Sequence, residues 1–192
     1  MPNRREFIRN AGVLAISLPV LPPFPNASLG SGAGNQELVD FENTASKNLQ
    51  KYGNCAQASF ATLQDHFDLD GGQIVRALSP FPGVGLQGDT CGAVTGSLMA
   101  FGLLFGRGEG EEYSKFLDVA AMARDFCARF TETLGSTKCG DIHETHLGRR
   151  FDLSDPAEFD DFRGAAGNLC GRVVATGVRI AAEMIESRRT LA

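Results

Sequence analysis

Cysteines are the residues of this 192-residue chain whose chemistry is most specific. Four of them, Cys55, Cys91, Cys139 and Cys170, are separated by 36, 48 and 31 residues, and no two form a C-x-x-C pair. This spacing is not that of a zinc knuckle, a ferredoxin-type cluster or a thioredoxin-type pair. Cysteine thiolates nevertheless bind metals and attack disulfides, so both metal binding and thiol–disulfide exchange are candidate chemistries.

Three of these cysteines follow residues that commonly cap the N-terminus of a helix. The pairs are Asn54 before Cys55, Asp89 and Thr90 before Cys91, and Asn168 two residues before Cys170. We therefore place each of the three cysteines in the first turn of a helix. Unpaired backbone N–H groups and the helix dipole stabilise a thiolate there, and the position can lower a cysteine pKa from about 8.5 towards neutrality.

The fifth cysteine, Cys127, lies on an apolar helical stripe that runs from Phe116 to Phe130, where a free cysteine behaves as a small hydrophobic residue. Cys139 begins the different pattern C-x3-H-x2-H, which includes His143 and His146. If this segment is helical, the three side chains share one face and could bind zinc or iron. The alternative is a short polar helix on the surface.

The elements that must position these residues are predicted to be helices. Apolar residues recur every three to four positions, and no alternating strand pattern of useful length is present. The predicted helices cover residues 36–52, 55–67, 73–78, 91–105, 111–134 and 169 or 170–188. Gly135 is predicted to stop the fifth of these. We predict an all-α fold, a single-domain bundle of about five to seven helices over residues 34–192.

The composition is close to that of an ordinary globular protein, with 43% hydrophobic residues, 21% charged residues and a net charge of −5. Nucleic-acid binding requires clustered Lys or Arg, and the acidic body has no basic stripe, so no nucleic-acid partner is expected. A domain of this length can fold without disulfides, so the cysteines need another explanation.

Residues 1–33 are predicted to be an export signal. Arg4 and Arg5 precede an apolar stretch and then small, turn-forming residues, an order typical of a targeting peptide rather than a membrane span. The arginine pair followed by Phe7 resembles a twin-arginine signal, which exports proteins already folded, and an ordinary secretory signal is the alternative. Cleavage is predicted after Ala33, with Ala27 as second choice and retention as an anchor as a third. A periplasmic or otherwise exported protein is expected.

The sequence around the cysteines resembles the C_GCAxxG_C_C family of redox-active proteins. The matching segments are residues 54–58 (NCAQA), 91–96 (CGAVTG) and 135–139 (GSTKC), with Cys170 beyond them. The resemblance spans roughly residues 40–185 and implies a small helical domain whose four signature cysteines are Cys55, Cys91, Cys139 and Cys170. The chain also partly resembles the non-haem domain of split-Soret cytochrome c, a group of exported proteins that carry haems and an iron–sulfur centre. Because the chain has no C-x-x-C-H motif, covalent haem is not expected.

Three functions are open at this point. In the first, the four cysteines converge and bind an iron–sulfur cluster, [2Fe–2S], for electron transfer or redox sensing with a redox partner protein. In the second, two cysteines such as Cys55 and Cys91 cycle between dithiol and disulfide without a cofactor. In the third, zinc or structural disulfides stabilise a binding module. A homodimer is also compatible with the sequence, and no substrate or reaction is indicated.

Overall fold

The structure is a computed structural model that describes residues 33–191 of the chain, with side chains described from Phe41 onwards. The predicted export signal lies outside the described residues, apart from Ala33, where the first helix begins. Among the described residues, no helix combines the length and the apolarity that a membrane crossing requires.

Nine helices succeed one another in the described part of the chain, which contains no β-strand. They are α1 (Ala33–Tyr52), α2 (Cys55–Phe67), α3 (Gly72–Ala77), α4 (Gly83–Leu86), α5 (Gly92–Phe105), α6 (Tyr113–Leu134), α7 (Cys139–Leu147), α8 (Pro156–Ala166) and α9 (Leu169–Thr190). The predicted all-α class is confirmed. The structure has more elements than the predicted five to seven helices, because α8 and the short left-handed turn α4 were not predicted.

The α8 helix has a clear physical origin in the sequence. Asp155 is its N-cap, and one carboxylate oxygen accepts hydrogen bonds from the N–H groups of Ala157 (2.9 Å) and Glu158 (3.0 Å). Pro156 occupies the first turn, where its missing N–H costs nothing and its fixed φ suits a helix. Phe162 is the one described residue of α8 that is fully buried, and it anchors the helix to the body.

The helices α2 and α5 form the centre of the bundle and pack closely against each other. A Cβ at Gly96 of α5 would lie 2.4 Å from the carbonyl oxygen of Ala56, so only glycine permits this approach. The helix α9 packs against α1, α2, α5 and α6 and closes the core. Its inward face includes five buried residues, Val173, Val174, Gly177, Ala181 and Met184.

The buried face of α6 differs from the predicted one. The helix buries Met122, Phe126, Phe130 and Leu134, which recur every four residues. Phe116 was predicted to lie on the buried stripe but is 46% exposed. Cys127 is half-buried at the edge of the core, in agreement with its interpretation as a small packing residue. Gly135 ends the helix with φ = 86°, as predicted.

Candidate cysteine site

Each of the four predicted site cysteines lies at the start of a different helix. Cys55 and Cys139 are the first residues of α2 and α7, Cys170 is the second residue of α9, and Cys91 immediately precedes α5. The predicted first-turn positions of Cys55 and Cys170 are confirmed. The prediction for Cys91 is off by one position, because α5 begins at Gly92 and Cys91 is its N-cap residue. Neither Asp89 nor Thr90 caps that helix.

Asn54 holds Cys55 in place by capping α2. Its side-chain oxygen accepts hydrogen bonds from the N–H groups of Ala56 (3.0 Å) and Gln57 (3.1 Å), so the predicted cap is confirmed. Its Nδ2 donates to the carbonyl oxygen of Ser79 at 3.0 Å, which ties the start of α2 to the segment after α3. Asn168, in contrast, makes no side-chain capping bond to α9.

A short antiparallel pairing holds Cys91 next to Cys139. The backbone N–H of Cys91 donates to the carbonyl of Thr137, and the N–H of Cys139 donates to the carbonyl of Asp89, both at 2.8 Å. Between these two bonds, Thr90 and Lys138 form an isolated antiparallel bridge. Two cysteines that are 48 residues apart in sequence are therefore fixed to the same backbone ladder.

The four cysteines line one small cavity of about 20 Å³, together with Ile142, His143, Leu169 and Val173. Four helices contribute to this wall, namely α2, α7, α9 and the start of α5. No Lys or Arg is among the lining residues. The structure thus brings together all four cysteines selected from the sequence and leaves Cys127 outside. Their binding of a cofactor stays a prediction.

Cys55 and Cys91 are hydrogen-bonded to each other in the site. The Cys91 thiol donates a hydrogen bond to the Cys55 sulfur, and this bond lowers the pKa of Cys55 despite its burial. Backbone N–H groups at Gly92, Cys55 and Ala56 lower it further. The same bond to Cys55, together with burial, raises the pKa of Cys91 well above its ordinary value. Cys55 is therefore the more acidic thiol of the pair.

The other two cysteines are protonated in the folded protein. Burial raises the pKa of both Cys139 and Cys170 to about 12, and the negative charge on Cys55 adds to the effect. The expectation that helix-start positions lower the cysteine pKa is confirmed in direction for Cys55 and is wrong for Cys91 and Cys170. At Cys91 the hydrogen bond with Cys55 is the largest cause of the raised pKa and burial is the second, whereas at Cys170 burial is the largest cause.

The segment that begins at Cys139 is helical, which is the condition under which its C-x3-H-x2-H pattern could bind a metal. His143 is 2% exposed, and its Nε2 lies 3.4 Å from the Cys139 sulfur. Burial lowers the pKa of His143, so this ring is neutral. His146 is exposed to solvent, so the hypothesis that all three residues bind one metal ion is wrong. Only Cys139 and His143 meet.

Among the residues that the structure describes, no three Cys, His, Asp or Glu side chains lie close enough together to hold a single metal ion. The four sulfurs share a cavity wall but do not form a ready-made site for one metal ion. A tetrahedral zinc ion requires its thiolate sulfurs at about 2.3 Å from one centre.

The glycine-rich segment from Gly83 to Gly88 also shapes the site. Its first four residues form a left-handed turn, with φ values of 52°, 47°, 71° and 66°. A Cβ at Gly83 would lie 3.4 Å from the Cβ of Cys139, so the turn packs directly on the site. The sequence gives only a weak signal for this turn. Residues other than glycine rarely adopt a left-handed conformation, yet Val84 and Leu86 do so here.

A family model described as "Putative redox-active protein (C_GCAxxG_C_C)" matches residues 53–184 of the chain. The match covers about two thirds of the sequence and includes all four cysteines of the cavity. Comparisons with curated proteins and with solved structures gave no match.

Proposed function

Because the chain belongs to the C_GCAxxG_C_C family of redox-active proteins, we propose that its four cysteines bind an iron–sulfur cluster of the [2Fe–2S] type for electron transfer or redox sensing. The observation that carries this proposal is the single cavity that Cys55, Cys91, Cys139 and Cys170 line together. Each cysteine arises from a different helix start, so the tertiary fold gathers ligands that no local motif contains.

The chemistry of the donor set supports a cluster. Four cysteine thiolates are the usual ligand set of a [2Fe–2S] centre, and apolar side chains such as Ile142, Leu169 and Val173 exclude water from this wall. Three of the thiols have raised pKa values, through burial and, at Cys91, the hydrogen bond with Cys55, and no Lys or Arg lines the cavity to supply a compensating positive charge. Bound iron would supply that charge, and its binding would displace the protons.

A single zinc ion has less support, because the described residues contain no group of three ligands suited to one ion. A [2Fe–2S] cluster binds its four cysteines in two pairs, one pair on each iron. A cavity of about 20 Å³ has room for about one water molecule. The four sulfurs would therefore have to move apart when a cluster is loaded.

The protein's own residues have distinct roles in this proposal. Cys55 has a lowered pKa and would be the first ligand to lose its proton, because the Cys91 thiol and backbone N–H groups such as that of Gly92 stabilise its thiolate. Cys91, Cys139 and Cys170 give up their protons on binding. When bound, the cluster supplies one-electron chemistry at the cavity. We further propose that the N-terminal segment directs export to the periplasm. A redox partner protein would exchange electrons with the site, and the chain would act as a monomer or as a homodimer.

One observation favours a second candidate, a thiol–disulfide redox protein. Cys55 and Cys91 are hydrogen-bonded to each other, and Cys55 has the lower pKa, which are the features that disulfide formation between them would use. The Cys55 thiolate would attack the disulfide of a partner protein, forming a mixed disulfide and releasing one partner thiolate. Cys91, after losing its proton, would then attack the Cys55 sulfur, forming the Cys55–Cys91 disulfide and releasing the second partner thiolate.

Anaerobic purification of the full chain distinguishes the two candidates. A [2Fe–2S] protein has visible charge-transfer absorption and contains two iron and two sulfide ions per chain by its formula. A colourless, iron-free protein that loses two titratable thiols on mild oxidation would exclude the cluster and support the disulfide. Stoichiometric zinc in place of iron would contradict both.

A further inference from the structure

His143 is part of the cavity wall, and it has no role in either of the two proposed functions. Its Nε2 lies 3.4 Å from the sulfur of Cys139, within the range of an N–H···S hydrogen bond. The side chain is 2% exposed, and its other nitrogen, Nδ1, has no hydrogen-bond partner among the described residues. The ring packs against Phe162, with 4.4 Å between centroids, and against Phe151 at 6.1 Å.

The unpaired Nδ1 identifies the nitrogen that carries the proton. A neutral imidazole has one N–H, and the hydrogen bonds of the two nitrogens decide where that proton resides. A buried N–H donor without an acceptor is rarer in proteins than a buried acceptor without a donor. The proton therefore belongs on Nε2, from which it points to the Cys139 sulfur. Two buried phenyl rings hold the imidazole in this orientation.

We propose that His143 is a positioning residue that raises the reduction potential of the cysteine-bound centre by donating an Nε2–H hydrogen bond to the Cys139 sulfur. This role rests on the proposed cluster. Reduction adds an electron whose negative charge spreads onto the ligand sulfurs, so a donor to one sulfur stabilises the reduced state more than the oxidised state. Loss of such a bond to a charged acceptor is expected to change the ratio of oxidised to reduced protein about tenfold at a fixed ambient potential.

The test compares three variants of the iron-loaded protein by redox titration of its visible absorption. His143→Phe keeps an aromatic ring among Phe151 and Phe162 but removes the donor, and we expect its potential to fall by about 59 mV, the equivalent of tenfold for one electron. His143→Gln keeps a side-chain N–H and is expected to lie closer to the wild type. His146→Phe, on the exposed face of the same helix, is the matched control and should leave the potential unchanged.

Two results in the loaded protein would overturn this role. An unchanged potential in His143→Phe would show that the hydrogen bond has no influence on the centre. Loss of iron from both His143 variants, with helicity retained by circular dichroism, would make His143 a ligand instead of a donor. Iron-free wild-type protein would contradict the proposed cluster itself, so the two failures can be told apart.

A second measurement tests the donor in reduced, metal-free protein. Nitrogen-15 NMR of labelled histidine reports which ring nitrogen carries the proton. We expect the Nε2–H form for His143, assigned by its absence from the His143→Gln spectrum. The Nδ1–H form would place the lone pair, not the proton, next to Cys139 and would overturn the inference.

Discussion

The sulfur of Cys55 in α2 lies directly against the backbone of Gly92 in α5. A Cβ at position 92 would be 2.4 Å from this sulfur and 2.6 Å from the backbone nitrogen of Ala56. Both distances are far below van der Waals contact, so glycine alone fits beside the sulfur. Gly92 also donates its backbone N–H to Cys55 and directly follows Cys91. One glycine therefore sets the separation of the two helices at the point where the two cysteines meet.

We expect Gly92→Ala to separate Cys55 from Cys91 and to destabilise the fold. Overpacking of this kind costs about 1–3 kcal/mol, because the added methyl meets backbone that cannot turn away. The pKa of Cys55 should rise towards its ordinary value as the Cys91 thiol withdraws. Urea unfolding measures the first effect, and the pH dependence of thiolate absorbance measures the second.

The matched control for that substitution is Gly102→Ala in the same helix. Nothing lies within 4 Å of a Cβ at Gly102, which is exposed. Alanine is the better helix former by about 1 kcal/mol, so this variant should be as stable as the wild type or more stable. Equal unfolding free energies for the two alanine variants would contradict the close contact at Gly92.

A serine series at the cysteines separates the two candidate functions. If the cavity binds a cluster, Cys55→Ser, Cys91→Ser, Cys139→Ser and Cys170→Ser should each retain less than about one tenth of the wild-type iron, because each removes a ligand. Cys127→Ser is the control, since Cys127 lies outside the cavity and should leave iron content unchanged. Iron loss in the Cys127 variant equal to that in the others would argue against a specific site.

The disulfide alternative gives a different pattern in the same series. Only Cys55→Ser and Cys91→Ser should then abolish the oxidation-dependent loss of two thiols, because these are the two sulfurs in direct contact. Cys139→Ser and Cys170→Ser should still form the disulfide. Thiol titration before and after mild oxidation reads out this difference without any metal.

The long helices and their ends could be predicted from the sequence because local signals determine them. Asn54 caps α2, and Gly135 ends α6 in a left-handed conformation, both as the residue types indicate. The four cysteines could also be selected from their immediate neighbours. The cavity that joins them could not be predicted from the sequence. It depends on contacts between four helix starts and on a backbone ladder whose two sides are 48 residues apart in the sequence.

The different burial of His143 and His146 shows why the remaining details of the site could not be predicted from the sequence. Both lie on the helical face predicted for Cys139, at intervals of four and seven residues. His143 is buried because Phe162 of α8 packs on its ring, and α8 was not predicted. The same limit explains the two wrong pKa predictions. Local sequence reveals a helix start, but not the hydrogen bond with Cys55 that raises the pKa of Cys91 or the burial that raises the pKa of Cys170.

The cap at Asn54 is expected to control both stability and the ionisation of Cys55. Asn54→Ala removes two accepted hydrogen bonds and the bond donated to Ser79, at a cost of about 1–2 kcal/mol. Asn54→Asp keeps the accepting oxygen but adds a negative charge near the thiolate. Its loss of stability should be smaller, whereas the pKa of Cys55 should rise.

Alkylation of the reduced, metal-free protein at several pH values, followed by peptide mass spectrometry, measures the ionisation of Cys55 in these variants. Asn168→Ala is the comparison, because Asn168 makes no side-chain capping bond to α9 and its loss should cost under about 0.5 kcal/mol. If Asn54→Ala were no more destabilised than Asn168→Ala, the capping role of Asn54 would be refuted.

The reduced, metal-free protein should lose stability as the pH rises above 9. The pKa values of Cys139 and Cys170 are raised from 9.0 to about 12, so the folded state keeps protons that the unfolded chain releases in this window. Stability from these two thiols is therefore complete below pH 9 and declines towards pH 12, by up to about 1.4 kcal/mol per pH unit for each thiol. Cys91 acts in the same direction.

Cys55 has the opposite dependence, because a lowered pKa adds stability that is lost as the pH falls through its folded value. Urea unfolding at about pH 8 and pH 10, with reductant and chelator present, measures the balance. In the double variant Cys139→Ala and Cys170→Ala, the decline between the two pH values should become shallower, because the two protons retained by the fold are gone. A decline as steep as that of the wild type would mean that these two thiols ionise normally in the folded protein, which their burial in one cavity should prevent.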